Sequence, residues 1–158
     1  MEAVKFSELE VGMKGTFTKK ITQEDVDGFI RICNDINPIH VDEEFAKNAK
    51  FKNKIVHGIL VSSLISTVVG TKMPGPGSVW LDQSLKFLLP VHVDDIITAT
   101  SEILVKIPER QQVIVRTTCT NQNNEVVIEG AGLHKILNKW NESSSYWRIR
   151  IYRTYNYW

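Results

Sequence analysis

The chain has 158 residues, 42% of them hydrophobic and 23% charged, with a formal net charge of +1. That length suits one domain burying roughly two-thirds of its unfolded surface, and the near-neutral balance lacks the basic footprint of a nucleic-acid binder. The opening MEAVKFSELEVGMKG carries three glutamates and no apolar core. It reads as neither a secretory signal nor an Arg/Ser-rich transit peptide, so a cytosolic protein and an organellar one without its presequence both fit. Within it, FSELE suggests one helical turn, and Gly15 to Ile21 alternate as a first strand.

Thr22 then caps a helix. Thr22-Gln-Glu-Asp25 has the shape of a capping box with Asp at the third position, and Val26, Phe29, Ile30 and Cys33 recur at three- and four-residue spacing to form one apolar face. Asn37-Pro38 is expected to stop this helix. Asp42 caps a short helix over EEFAKNA, with Phe45 and Ala46 facing inward. The segment from Lys47 to Lys54 holds Lys47, Lys50, Lys52 and Lys54, a solvated loop or a landing site for phosphates or an acidic carrier protein.

Gly58 to about Lys72 follows as a buried helix, because ILVSSLISTVVG has no charge and is too short to span a bilayer. MPGPG ends it. From Ser78 to Phe87 the period becomes 2, with Val79, Leu81, Leu85 and Phe87 on one face and Trp80, Asp82, Ser84 and Lys86 on the other. Three more strands are expected over Ile96–Lys106, Gln112–Asn121 and Glu125–Leu137, separated by Pro108-Glu-Arg and Gln122-Asn-Asn. Short connections imply antiparallel neighbours, so the class is α+β, a long antiparallel sheet covered by one apolar helix. Residues 1–137 make the domain. Residues 138–158 form an aromatic and basic tail with three of the four tryptophans and all four tyrosines, read as a packing arm, a partner-dependent segment or a non-native terminus, with nucleic-acid or membrane contact through its aromatics and arginines as the alternative. Cys33 and Cys119 stand far apart in no metal spacing and are expected to be reduced, small apolar residues.

The chemistry concentrates in Asp35 to Gly58, DINPIHVDEEFAKNAKFKNKIVHG. Asp35 lies just past a helix end and His40 lies across the turn set by Pro38, so a carboxylate and an imidazole can converge as an acid/base pair. If a helix starts near Gly58, its unpaired N–H groups and positive dipole end can hold a developing oxyanion. Asn37 is placed to orient water or the carboxylate. Ser62, one turn into the helix, either lines the site or bonds back to its own helix. His57 reads as a cap or a packed ring, and His92 and His134 fall in no motif. Metal ligation by Cys33, Asp35, His40 and His57 would need a convergence that no recognised zinc spacing gives.

Asp35-x-Asn37-Pro38-Ile39-His40, then Phe45-Ala46, Phe51 and Ile55-Val56-His57-Gly58, resembles the hydratase 2 motif of MaoC-like, R-specific enoyl-thioester hydratases. The resemblance runs from about residue 6 to 137. GTKMPGPG and Phe87-x-x-Pro90-Val91 look most like mitochondrial hydroxyacyl-thioester dehydratase type 2. It implies a hotdog fold, a curved antiparallel sheet wrapped around the Gly58 helix, in a homodimer whose sheets join. It also implies interconversion of (3R)-3-hydroxyacyl and trans-2-enoyl thioesters of an acyl-carrier protein or CoA in fatty acid synthesis, with no metal or organic cofactor. On this chain Asp35 and His40 would be catalytic, and Gly58 N–H would be the oxyanion donor. The implied location is mitochondrial, with a cytoplasmic alternative.

Two rivals remain at this stage. A hotdog thioesterase would hydrolyse the same substrates, although one type carries its carboxylate on the central helix and ILVSSLISTVVG has none. A non-catalytic acyl-binding subunit would not need Asp35, Asn37 and His40 together.

Overall fold

A computed structural model describes residues 2–137; the aromatic tail lies outside the described residues. Six strands form one antiparallel sheet: β1 (Lys14–Lys20), β2 (Ser78–Gln83), β3 (Lys86–Phe87), β4 (Ile96–Ile107), β5 (Gln112–Thr120) and β6 (Val126–Ile136). Their order is β1-β4-β5-β6-β2, with β3 also pairing β6. The helices are α1 (Gln23–Cys33), α2 (Pro38–Val41), α3 (Glu43–Asn48) and α4 (Gly58–Thr71), and a 3-10 turn spans Phe6–Glu8.

Helix α4 packs across the sheet against β4, β1, β5 and β2. Its sequence has almost no polar face, which is what a helix enclosed by a sheet requires. Val61, Leu64, Ile65, Val68 and Val69 are buried against Ile97, Ala99, Cys119 and Ile128, and each such side chain contributes about 1.5–3 kcal/mol of hydrophobic stabilisation. A second cluster joins Phe6 and Leu9 to Ile103, Val113, Val115 and Ile136, so the N-terminal turn covers the far end of the sheet. No helix among the described residues is long and apolar enough to cross a membrane.

The capping box at α1 forms as the sequence indicates. Thr22 accepts from the Asp25 N–H, and the Asp25 carboxylate accepts from the Thr22 N–H at 2.9 Å. Helix α1 ends at Asn34, which adopts φ 55°, so Asp35 lies just past its end as the sequence indicates. Three expectations need correction. Asn37-Pro38 then starts a helix: Pro38 occupies its first turn and Asn37 caps it, because proline fits the position whose N–H has no intrahelical acceptor. Phe45 is 47% exposed, and Ala46 alone of that pair is buried. The single strand expected over Ser78–Phe87 is two, β2 and β3, with a bulge between Trp80 and Asp82; an extra residue there resets the alternation that the sequence pattern assumed.

The two thiols differ. Cys119 is buried, which pushes its pKa up to about 12. Cys33 is exposed at the end of α1, contrary to its expected place in the apolar face.

Candidate active site

The loop after α1 brings the two halves of the expected pair to one point. Asn34 in the left-handed region turns the chain, and the Asp35 carboxylate accepts the Asn37 N–H at 3.1 Å, an Asx-type turn that holds the following proline helix in place. Asn37 in turn accepts the Ile39 N–H at 3.3 Å. One turn on, His40 Nδ1 lies 2.7 Å from the Ile55 carbonyl oxygen. A carbonyl oxygen only accepts, so Nδ1 carries the proton and Nε2 presents a lone pair. Ile55 also donates its N–H to the Ile39 carbonyl at 3.1 Å. The imidazole and its own backbone are therefore held by the same residue.

His57 completes the cluster. Its ring is 2% exposed and stacks on His40 with centroids 3.8 Å apart and planes 29° apart. Its Nε2 is 2.9 Å from the Asp35 main-chain oxygen and 3.9 Å from the Asp35 carboxylate. The Asp35 side chain stays 49% exposed.

Gly58 opens α4, and its N–H is one of the donors that a helix start leaves without an intrahelical partner. The Phe87 ring lies directly over it: a Cβ on Gly58 would meet Phe87 Cε1 at 2.5 Å and Cδ1 at 2.6 Å. Only glycine admits that approach. Beside this point lies a cavity of about 400 Å³ with His40 and Gly58 in its wall; the rest of the lining is apolar and includes Phe51, Ile55, Ile59, Phe87, Leu88, Leu89, Pro90 and Ile128. An apolar hollow with an imidazole and a helix start in its wall can hold an acyl chain and act on its thioester end.

The other expected residues are placed as follows. Asp35 and Asn37 are not among the residues that line the cavity. The buried Ser62 hydroxyl donates to the Ile59 carbonyl of its own helix at 2.9 Å and is likewise absent from the lining. Phe51 lines the cavity, with Lys50 and Lys52 exposed on either side of it. Lys47 pairs with Glu43 at 3.5 Å, and the Lys54 N–H reaches the same carboxylate at 3.5 Å.

Asp35, His40 and His57 offer atoms within 4.8 Å of one another, a convergence that sequence spacing did not indicate; Cys33 is not part of it. His57 Nε2 and the Asp35 carboxylate oxygen are 3.9 Å apart, wider than the roughly 3.4 Å between ligands of a tetrahedral zinc ion with bonds of about 2.1 Å. The nitrogen of His57 that faces Asp35 is also occupied by the bond to the main-chain oxygen. The arrangement suits proton transfer better than metal ligation.

The family model for the MaoC-like domain matches residues 7–125. The chain belongs to the MaoC-like family. It is 42% identical over 134 residues to a 3-hydroxybutyryl-CoA dehydratase of Methylorubrum extorquens, covering 85% of each chain. It is 34% identical over 122 residues to a mitochondrial 3-hydroxyacyl-[acyl-carrier-protein] dehydratase of Arabidopsis thaliana, covering 76% of this chain and 72% of the relative. Among solved structures, an unliganded R-hydratase of Pseudomonas aeruginosa superposes with a TM-score of 0.80 at 34% identity, covering 87% of this chain and 88% of the other. The sheet and its enclosed helix are the hotdog fold of this MaoC-like family.

The sequence places Phe87 on a strand face and in the Phe87-x-x-Pro90-Val91 resemblance, and nothing local in it indicates that the ring crosses to Gly58. His57 reads from the sequence as a cap or a packed ring, and it occupies the cap position of α4, without a side-chain capping bond, as a buried ring packed on Phe29 and His40; its contact with Asp35 is what the sequence does not show. Its adjacency to Gly58 was the available signal.

Proposed function

We propose that this MaoC-like chain removes water from a (3R)-3-hydroxyacyl thioester, and adds it to the trans-2-enoyl thioester, with Asp35 and His40 as the acid/base pair and Gly58 N–H as the oxyanion donor. The chain is a hydro-lyase by family. The observation that carries the residue assignment is His40: its Nδ1–H is held by Ile55, leaving Nε2 as a base in the cavity wall.

In dehydration the α-carbon loses a proton, and the electron pair left behind passes into the thioester carbonyl as an enolate. The N–H at the start of α4 meets that charge. Collapse of the enolate forms the Cα–Cβ double bond and expels the β-hydroxyl, which leaves as water with a proton from the pair. The pair gains one proton from the α-carbon and returns one to the oxygen, so it ends as it began. His40 Nε2 takes the first proton, and the Asp35 carboxylate beside it steadies the imidazolium that results.

The apolar cavity supports a fatty acyl substrate. Lys50 and Lys52, beside Phe51 at its wall, support a phosphate-bearing carrier, either CoA or the phosphopantetheine of an acyl-carrier protein, as the relatives' two names suggest. Strand β2 ends the sheet, which supports a homodimer whose sheets join there. A mitochondrial role in fatty acid synthesis is supported by the plant dehydratase at 34% identity and is not required by the bacterial one at 42%.

The test is to incubate the purified protein with crotonyl-CoA, follow the ultraviolet absorbance of the conjugated thioester, resolve the product on a chiral phase and assay free thiol. Loss of conjugation with (3R)-hydroxyacyl product and no thiol is the expected result. Release of thiol would make the protein a thioesterase, and tight acyl binding with neither change would make it a non-catalytic subunit.

A further inference from the structure

His57 touches both members of the proposed pair and neither lines the cavity nor caps its own helix. The Asp35 main-chain oxygen can only accept, so Nε2 of His57 is the donor and Nδ1 carries a lone pair. That Nδ1 is buried and has no hydrogen-bond partner among the described residues. A leucine or phenylalanine would fill the space without burying an unpaired acceptor. The two features of the imidazole that are used here are its Nε2–H and its flat face.

Those two features act on different halves of the site. The N–H ties down the backbone of Asp35, whose carboxylate is held from the other side by the Asn37 N–H. The face supports the His40 ring from below while the Ile55 carbonyl holds its edge, so the plane and the rotation of that ring are both fixed. Phe29 of α1 packs on His57 at 5.2 Å and 59° and keeps it in place. The next residue in the chain is Gly58.

We infer that His57 is a positioning residue: one buried imidazole that registers Asp35, His40 and the Gly58 N–H against one another. This rests on the hydratase reading above. A displacement of about 1 Å in such a group costs on the order of 10²-fold in rate.

The experiment uses two variants of the full chain. His57→Gln keeps an N–H at the reach of Nε2 and loses the aromatic face; His57→Phe keeps the face and loses the donor. Hydration of crotonyl-CoA is measured per folded protein, together with the nitrogen chemical shifts of His40, which report its tautomer. Each variant is expected to lower kcat on the order of 10²-fold with KM within a few-fold of wild type, and the His40 signals are expected to lose their single Nδ1–H form. Wild-type kcat per folded protein in both variants, with His40 unchanged, would overturn the inference, as would a loss confined to KM. If His57→Phe does not fold, His57→Gln decides alone. An inactive wild-type protein would refute the hydratase reading, while the His40 spectra would still decide whether His57 positions that ring.

Discussion

His134 lies on β6 with no exposed surface, and neither of its ring nitrogens has a hydrogen-bond partner among the described residues. Trp80 stacks on it in near-parallel, with centroids 5.8 Å apart and planes 14° apart. Burial lowers its pKa from the ordinary 6.5 to about 4. The unfolded chain therefore takes up a proton near pH 6.5 that the folded protein refuses until about pH 4. Stability from this residue is fully present above pH 6.5 and is lost as pH falls through that window, at about 1.4 kcal/mol per unit and about 3 kcal/mol in all. His134→Phe keeps the stack on Trp80 and removes the titration. Urea unfolding at steps from pH 7.5 to 4 should show the wild type losing about 3 kcal/mol more than the variant. Asp25 does not obscure the result: burial opposes its charge, but the Thr22 backbone and hydroxyl and the Lys19 ammonium hold its pKa below the usual value. Its contribution is thus lost only below the window. Parallel decline of the two proteins between pH 6.5 and 4 would refute the reasoning and mean that the folded His134 accepts a proton as readily as the unfolded one.

Asp35→Asn and His40→Ala should each lower kcat by about 10²–10⁴-fold, the usual contribution of a positioned acid or base, with unchanged circular dichroism; near-normal turnover in either would remove that residue from the pair. Gly58→Ala keeps the N–H but drives a methyl into the Phe87 ring, an overpacking cost of about 1–3 kcal/mol. Adding Phe87→Leu should recover most of the melting temperature and rate, and a double variant no better than Gly58→Ala would show that the contact is not the cause. Reversing charge at Lys50 and Lys52 should raise KM for CoA substrates and flatten its salt dependence with kcat intact, and titration of KM against ionic strength checks it.

What the sequence made legible is what local physics decides. Thr22 and Asp25 mark a helix start because both bonding partners lie within three residues. The uncharged run after Gly58 identifies a buried helix because burial on all sides leaves no polar face, and β4, β5 and β6 fall within a residue or two of their expected spans because alternation and Asn- or Pro-containing turns are local signals. What failed depends on distant atoms. The bulge after Trp80 answers the register of β6. The exposure of Phe45 and Cys33 depends on which faces of α3 and α1 the core reaches. Asn37-Pro38 is locally compatible both with ending a helix and with starting one, and the Asx turn on Asp35 decides it. The approach of Asp35 to His40 is legible from residue types on a constrained loop, but the stacking of His57 under His40 joins residues seventeen positions apart in the chain and has no local signature.

The groups proposed to react, Asp35, His40 and the Gly58 N–H, come from one short stretch of chain, yet part of what holds that stretch comes from elsewhere. The Val56 N–H donates to the Val91 carbonyl at 2.7 Å, and His92 Nδ1 meets the Lys54 carbonyl at 3.0 Å. These bonds stitch the segment before Gly58 to the connection between β3 and β4. That same connection supplies Leu88, Leu89 and Pro90 to the cavity wall and, through Phe87, the ring over Gly58. The proposed acyl-binding wall, Leu88 to Pro90, is thus bonded on one side to the segment carrying Ile55, which holds His40, and on the other to β6 through the pairing of β3. The proposed site is thereby held by backbone bonds that exist without substrate, which is the condition under which fixed N–H groups and a fixed imidazole would lower a barrier without reorganising during the reaction.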